Sequence, residues 1–275
     1  MTATAAPRRS TAAAAGAASA PMRDAPPSAA QRILAPIVLG VVVIGAWQLL
    51  TASGLVEAYL LPSPAAIGEQ IIEFAPTMLS AAGITGLNAL LGLVLGSLLG
   101  VLAALAASSA RPVDGMLAPV VAALAVIPIV ALAPVLNTMF GADSQVGRQL
   151  IAGLAAFVPV FITTARGLRQ TQPVHRDLMR TYAASRWQIM RTITLRTAAP
   201  YTFTGIRLAS SLAVISALVA EYFGGPRGGL GGLISTSAAS SAYPRAWAYV
   251  VAAILLGLAF YLVTLALESA VSRRR

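Results

Sequence analysis

The charged residues of this chain fall in clusters, and long uncharged stretches run between them. Arg32 and Glu57 enclose 24 uncharged residues, Glu73 and Arg111 enclose 37, Asp114 and Asp143 enclose 28, Arg148 and Arg166 enclose 17, and Arg245 and Glu268 enclose 22. A further stretch, Tyr201 to Glu221, is interrupted only by Arg207 near its start. A helix rising about 1.5 Å per residue crosses the hydrocarbon layer in about 20 apolar residues. The pattern therefore predicts an all-α polytopic membrane protein with six transmembrane helices over residues 32–270. Residues 1–31, rich in Ala, Ser and Pro and without apolar periodicity, read as a disordered tail. A signal peptide is the rival reading, but the run behind the tail is span-length and five more spans follow. Residues 271–275 form a short basic terminus.

The distribution of arginine gives the orientation. With the N-terminus placed inside, the segments facing the cytoplasm hold 16 of the 19 arginines and those outside hold 3. Cytoplasmic loops collect positive charge, so both termini are expected inside. Gly92, Gly96 and Gly100 form a ridge of small residues in the second span, which lets another helix approach closely, within one subunit or between two. Pro128, Pro134 and Pro159 should kink or break the third and fourth spans.

Composition narrows the chemistry. Hydrophobic residues make up 57% and charged residues 10%, too little charge to clothe a soluble surface. All the basic residues are Arg. Without Lys there is no Walker A phosphate loop and no Schiff base. Without Cys there is no disulfide or thiolate metal site, and one His makes no metal cluster. The chain is not expected to be an enzyme or to bind a metal or cofactor itself.

The richest segment lies between the fourth and fifth spans, within residues 167–199, on the expected cytoplasmic side. Arginines at 169, 176, 180, 186, 191 and 196 alternate with Leu178, Met179, Tyr182, Trp187, Ile189, Met190, Ile193 and Leu195. Pro173 and Pro200 bracket it, and one or two short amphipathic helices are predicted. Three explanations compete. The segment could lie on anionic lipid. Nucleic-acid binding has no surrounding module to support it. Docking to a cytoplasmic protein fits the Tyr, Trp and Arg content, the residue types enriched in binding hot spots.

This segment resembles the cytoplasmic coupling loop of bacterial ATP-binding-cassette importer permeases, in which Glu-Ala-Ala is followed by three residues and Gly, and later by Leu-Pro. Ala184-Ser185-Arg186-Trp187-Gln188, Leu195, Ala199-Pro200 and Thr204-Gly205-Ile206-Arg207 are similar to the nitrate/sulfonate/taurine branch. Leu61-Pro62-Ser63-Pro64 resembles an element after that branch's first span. Ala220-Glu221, Gly224-Gly225 and Gly228-Gly229-Leu230-Gly231 resemble the stretch after its fifth. There are departures: Asp177 stands for Glu, Leu178-Met179 for the two Ala, and Ala183 for Gly, while Arg196 and Ala199 break the Leu-Pro pairs.

The resemblance implies a bacterial inner-membrane subunit forming a pathway for a small solute, nitrate-, sulfonate- or taurine-like or a pyrimidine vitamin precursor. It implies two cytoplasmic ATP-binding subunits carrying ATP and Mg, a second permease copy, an extracytoplasmic solute-binding protein, and membrane lipid around the chain. Asp177, Arg180, Tyr182, Ala183, Ser185, Arg186 and Trp187 are then the ATPase-coupling residues. Glu221, Asn88 and Asn137 are candidates for the pathway or outer gate. Glu221 could equally be an interfacial acid in water, and each Asn interhelical glue. Arg207 is expected to snorkel to the inner interface, and His175 to be solvated. An ion-coupled secondary transporter is the alternative, opposed by the expectation that no Asp, Glu or His lies inside a span; a membrane scaffold protein is another.

Overall fold

The computed structural model describes residues 29–57, 59–141, 144–224 and 228–273. The tail expected over residues 1–31 lies outside them as far as residue 28, and the first helix, α1 (Ala29–Ala52), begins at Ala29. Two units are distinguished, one ending at Ala46 and the other spanning Trp47–Arg275. In the first, the described residues belong to α1, and its Leu, Val and Ile side chains from Leu34 onward are exposed.

The second unit is a helical bundle. After the end of α1 come α2 (Pro64–Glu73), α3 (Ala75–Ser109), α4 (Arg111–Val126), α5 (Leu132–Phe140), α6 (Val146–Arg169), α7 (Pro173–Thr181), α8 (Arg186–Ile189), α9 (Leu195–Phe223), α10 (Leu230–Ala239) and α11 (Tyr243–Arg273). Among the described residues, five helical segments are long and apolar enough to cross a membrane: Leu34–Ala52, Ala75–Ser109, Val146–Arg169, Arg186–Phe223 and Tyr243–Val271. The predicted third span is not one helix. α4 stops at Val126, Ile127 is extended at ψ 127, and a 3₁₀ turn at Ile129–Ala131 leads into α5. The proline ring at 128 disfavours helical backbone at the residue before it. Pro159 behaves differently, since α6 runs through it unbroken.

The Leu61-Pro62-Ser63-Pro64 element starts α2. The Ser63 hydroxyl accepts a hydrogen bond from the Ala66 amide at 3.2 Å, and Pro64 occupies the first helical position, where no donor is needed.

α3, α6 and α9 form the centre of the bundle. Ala89, Leu93, Ala152, Ala156, Val160, Ala209, Ala213, Val214 and Ala217 make its apolar core. The glycine ridge of α3 packs on α6 of the same chain. A Cβ at Gly92 would stand 2.9 Å from the Gln149 carbonyl oxygen, and one at Gly96 would run into the Gly153 carbonyl and stand 2.9 Å from Ala156 Cβ. In lipid, apolar exclusion does not drive helices together, so this close backbone approach supplies much of the contact. Gly96→Val should lower the thermal midpoint in detergent, with overpacking costing about 1–3 kcal/mol. Gly83→Ala, where a Cβ meets nothing within 4 Å, should leave it unchanged or slightly raised.

Candidate functional site

Two groups of polar residues sit at opposite ends of the bundle. The first gathers where α3 begins, α6 begins and α9 ends. Thr85 and Asn88 are three apart on α3 and share a face. Gln145, just before α6, and Arg148 are also three apart, and Gln149 follows Arg148. Glu221 closes the last turns of α9 and is 2% exposed. Its Oε2 accepts from the Thr85 hydroxyl at 2.7 Å and from the Gly231 amide at 3.2 Å, and its Oε1 accepts from Asn88 Nδ2 at 3.2 Å. The Thr85 hydroxyl itself accepts from the Leu230 amide at 2.9 Å.

The glycines after α9 follow from this contact. A Cβ on Gly229 would meet Glu221 Oε1 at 2.6 Å, and one on Gly231 would sit 2.8 Å from Glu221 Cβ. Only bare backbone can bring its amides this close to the carboxylate. Gly225 of the same stretch lies outside the described residues.

Asn88 Nδ2 also donates to Gln145 Oε1 at 2.8 Å, and the same oxygen accepts from Arg148 Nη1 at 2.7 Å. Gln149 Nε2 donates to Asn88 Oδ1 at 3.2 Å. Arg148, 1% exposed, is thus joined to Glu221 through two side-chain amides. Asn137 of α5 donates to the Ala220 carbonyl at 3.3 Å, while its Oδ1 is buried and unpartnered.

Two expectations are corrected here. Glu221 is neither an interfacial acid in water nor outside the bundle, so an acid does lie within a spanning segment. Asn88 binds helices together, as one of its two readings held. Arg148, Gln145, Gln149 and Thr85 were missed, although the polar spacing at the head of the fourth apolar stretch was visible in the sequence. Arg207 does not simply reach for the interface. Its Nε lies 2.9 Å from Glu268 Oε2 on α11, a charge contact rather than an aligned hydrogen bond. Its Nη1 donates to Tyr261 Oη at 3.3 Å, and Thr204 donates to Glu268 Oε1 at 2.5 Å.

The second group is the Arg-rich segment at the other end. One or two short helices were expected there: α7 is one, while α8 runs on through a π turn into α9. α7 ends in a Schellman turn: the Ala183 amide donates to the Arg180 carbonyl at 2.9 Å and the Ala184 amide to Met179 at 3.0 Å. Ala183 adopts φ +52 there. This is the position where the coupling-loop pattern has Gly, and the backbone still takes the left-handed form. Ser185 then caps α8 in a reciprocal box, accepting from the Gln188 amide at 3.3 Å while Gln188 Oε1 accepts from the Ser185 amide at 2.7 Å. A π-helical turn, Met190–Thr194, joins α8 to α9.

Arg180 pairs with Asp177 at 3.0 Å on the exposed face of α7. Tyr182 and Trp187 are 77% and 69% exposed, on either side of the turn. His175 is exposed, as expected. Arg169 and Asp114, at 2.5 Å, tie the end of α6 to the start of α4 beside this segment. Among the described residues no cluster of His, Cys, Asp or Glu could hold a metal ion.

Glu221→Gln places an amide donor among three donors and should destabilise the chain by about 1–3 kcal/mol in a detergent melt. Ala183→Gly should raise stability by about 1 kcal/mol, because it removes the left-handed penalty on a side chain.

Residues 96–275 match the family described as the binding-protein-dependent transport system inner membrane component. The chain is 32% identical over 197 residues to a probable ABC transporter permease protein of Haemophilus influenzae, covering 72% of this chain and 80% of that one. It is 30% identical over 197 residues to a putative aliphatic sulfonates transport permease protein of Bacillus subtilis, covering 70% of each chain. It is 30% identical over 200 residues to a formylaminopyrimidine transport permease protein of Halalkalibacterium halodurans, covering 71% of this chain and 78% of that one. Its fold is similar to a solved structure titled as an amino acid ABC transporter with histidines, with a TM-score of 0.60 at 15% identity, covering 74% of this chain and 97% of the other. The chain belongs to the binding-protein-dependent transport system inner membrane components, the permease family of ABC transporters in the bacterial cell membrane.

Proposed function

We propose that this chain is the pathway-forming subunit of an ATP-driven importer, working as two copies with two cytoplasmic ATPase subunits and an extracytoplasmic binding protein. In this reading α4 and α5 together make a broken third crossing, which completes six, and both termini face the cytoplasm. The observation that carries it is the turn around Ala183. Tyr182 and Trp187, large aromatic side chains, stand exposed on a segment held rigid by a Schellman turn and a capping box. A rigid, arginine-flanked aromatic pair suits a protein partner, because little conformational freedom is lost on binding. Asp177, Arg180, Ala183, Ser185 and Arg186 shape the same turn.

ATP and Mg belong to the partner, which closes on ATP and moves the docked segments. The helices carry that movement into the bundle, and the pathway alternates between its two openings. Glu221, Asn88 and Asn137, with Arg148, act as a latch holding the outer ends of α3, α5, α6 and α9 in one block. The solute is a small organic anion of the sulfonate class, in keeping with the Bacillus relative's name. The pyrimidine class of the Halalkalibacterium relative is the other candidate, and selection rests with the binding protein.

Co-purification from cells expressing the cognate ATPase tests the dock. Tyr182→Ala with Trp187→Ala should cut ATPase recovery about tenfold or more at matched permease levels. Unchanged recovery would refute the reading, as would protease cleavage of the segment from the periplasmic side. Arg180→Glu should leave ATP hydrolysis running with less solute moved per ATP.

A further inference from the structure

Three arginines of the Arg-rich segment, each largely exposed, border one cavity. Arg176, Arg180 and Arg186 line a cavity of about 220 Å³ whose remaining wall includes Ser108 at the end of α3, Met190 and Thr194. Asp177 engages Arg180 at 3.0 Å, while Arg176 and Arg186 have no ion pair among the described residues. A second cavity, of about 550 Å³, adjoins it. The two share Ser108, Arg186 and Met190, and the second continues along Leu105, Trp187 and Leu195. The result is a groove with cations at one end and an apolar trough at the other.

We infer that this groove holds an anionic phospholipid, its phosphate among Arg176, Arg180 and Arg186 and an acyl chain along the Leu105–Leu195 trough. Charge complementarity supports the headgroup end. A guanidinium fork matches phosphate oxygens two at a time, and unpaired cations beside a bilayer attract anionic headgroups. The trough supports a lipid over a free anion, because a small anion leaves that apolar volume unused. The bound lipid braces the segment against α3. The inference rests on the segment lying at the cytoplasmic membrane surface, as proposed above, but not on ATPase docking.

The test uses the full chain in neutral detergent, with no ATPase present. Phosphatidylglycerol or phosphatidylcholine is titrated in, and retained lipid is counted by native mass spectrometry. One phosphatidylglycerol per chain should be retained in preference to phosphatidylcholine. Arg176→Gln and Arg186→Gln should each raise the half-saturating concentration about fivefold. Arg191→Gln, on the same segment but lining neither cavity, should not. Three results would overturn the proposal: equal retention of both lipids, an equal loss in Arg191→Gln, or displacement of the lipid by inorganic phosphate. Arg176 is exposed on α7, so its variant reports on binding even if Arg186→Gln folds poorly. Failure here with intact ATPase recovery would sink the lipid site alone.

Discussion

A carboxylate drawn out of water inside a helical bundle must be met by donors, and one end of this molecule is organised around meeting one. Glu221 takes its hydrogen bonds from α3 and from the backbone at the start of α10. Those donors fix where the two elements sit against α9. The glycines that follow α9 are there because side chains would fill the space the amides need. Arg148, also buried, is brought into the same network through Gln145 and Asn88. In a low-dielectric interior a satisfied polar network specifies one arrangement, and a half-satisfied one is costly.

The two ends of the bundle solve different problems. At the Glu221 end the polar groups are buried and bonded to each other across helices. At the Arg-rich end they are exposed, and most of the bonds are local, a helix-ending turn, a capping box and the Asp177–Arg180 pair, with Arg169–Asp114 the longer-range exception. Surface pairs of this kind contribute little to stability. Their value lies in holding the shape of a segment whose large side chains remain uncovered. The Arg207–Glu268 contact, backed by Tyr261 and Thr204, lies between these extremes and joins α9 to α11.

Much of this was legible in the sequence because lipid imposes length and apolarity on every crossing. The spaces between charges located α3, α6, α9 and α11 well, and the prolines around 128 foretold a break. The glycine ridge was legible as a close approach, though not which helix would fill it. What could not be read was pairing across long separations. Thr85 and Glu221 are 136 residues apart, and nothing in the spacing of either says that they meet. Glu221 looked like the end of a span because a charge there is usually cheap, and its burial depends on Gly229 and the start of α10 packing against it. Ala183 was legible as a departure from a glycine pattern. That its backbone would still adopt the left-handed turn follows from the Schellman bonds, which only the folded helix end supplies.

The continuity of α8, the π turn and α9 has one further consequence. Arg186–Phe223 is a single unbroken run, with Trp187 at one tip and Glu221 near the other. At about 1.5 Å per residue it forms a rod nearly 60 Å long. The indole of Trp187 and the carboxyl group of Glu221 therefore hang from the same shaft. The π turn, Met190–Thr194, is the one departure from α-helical winding along that shaft.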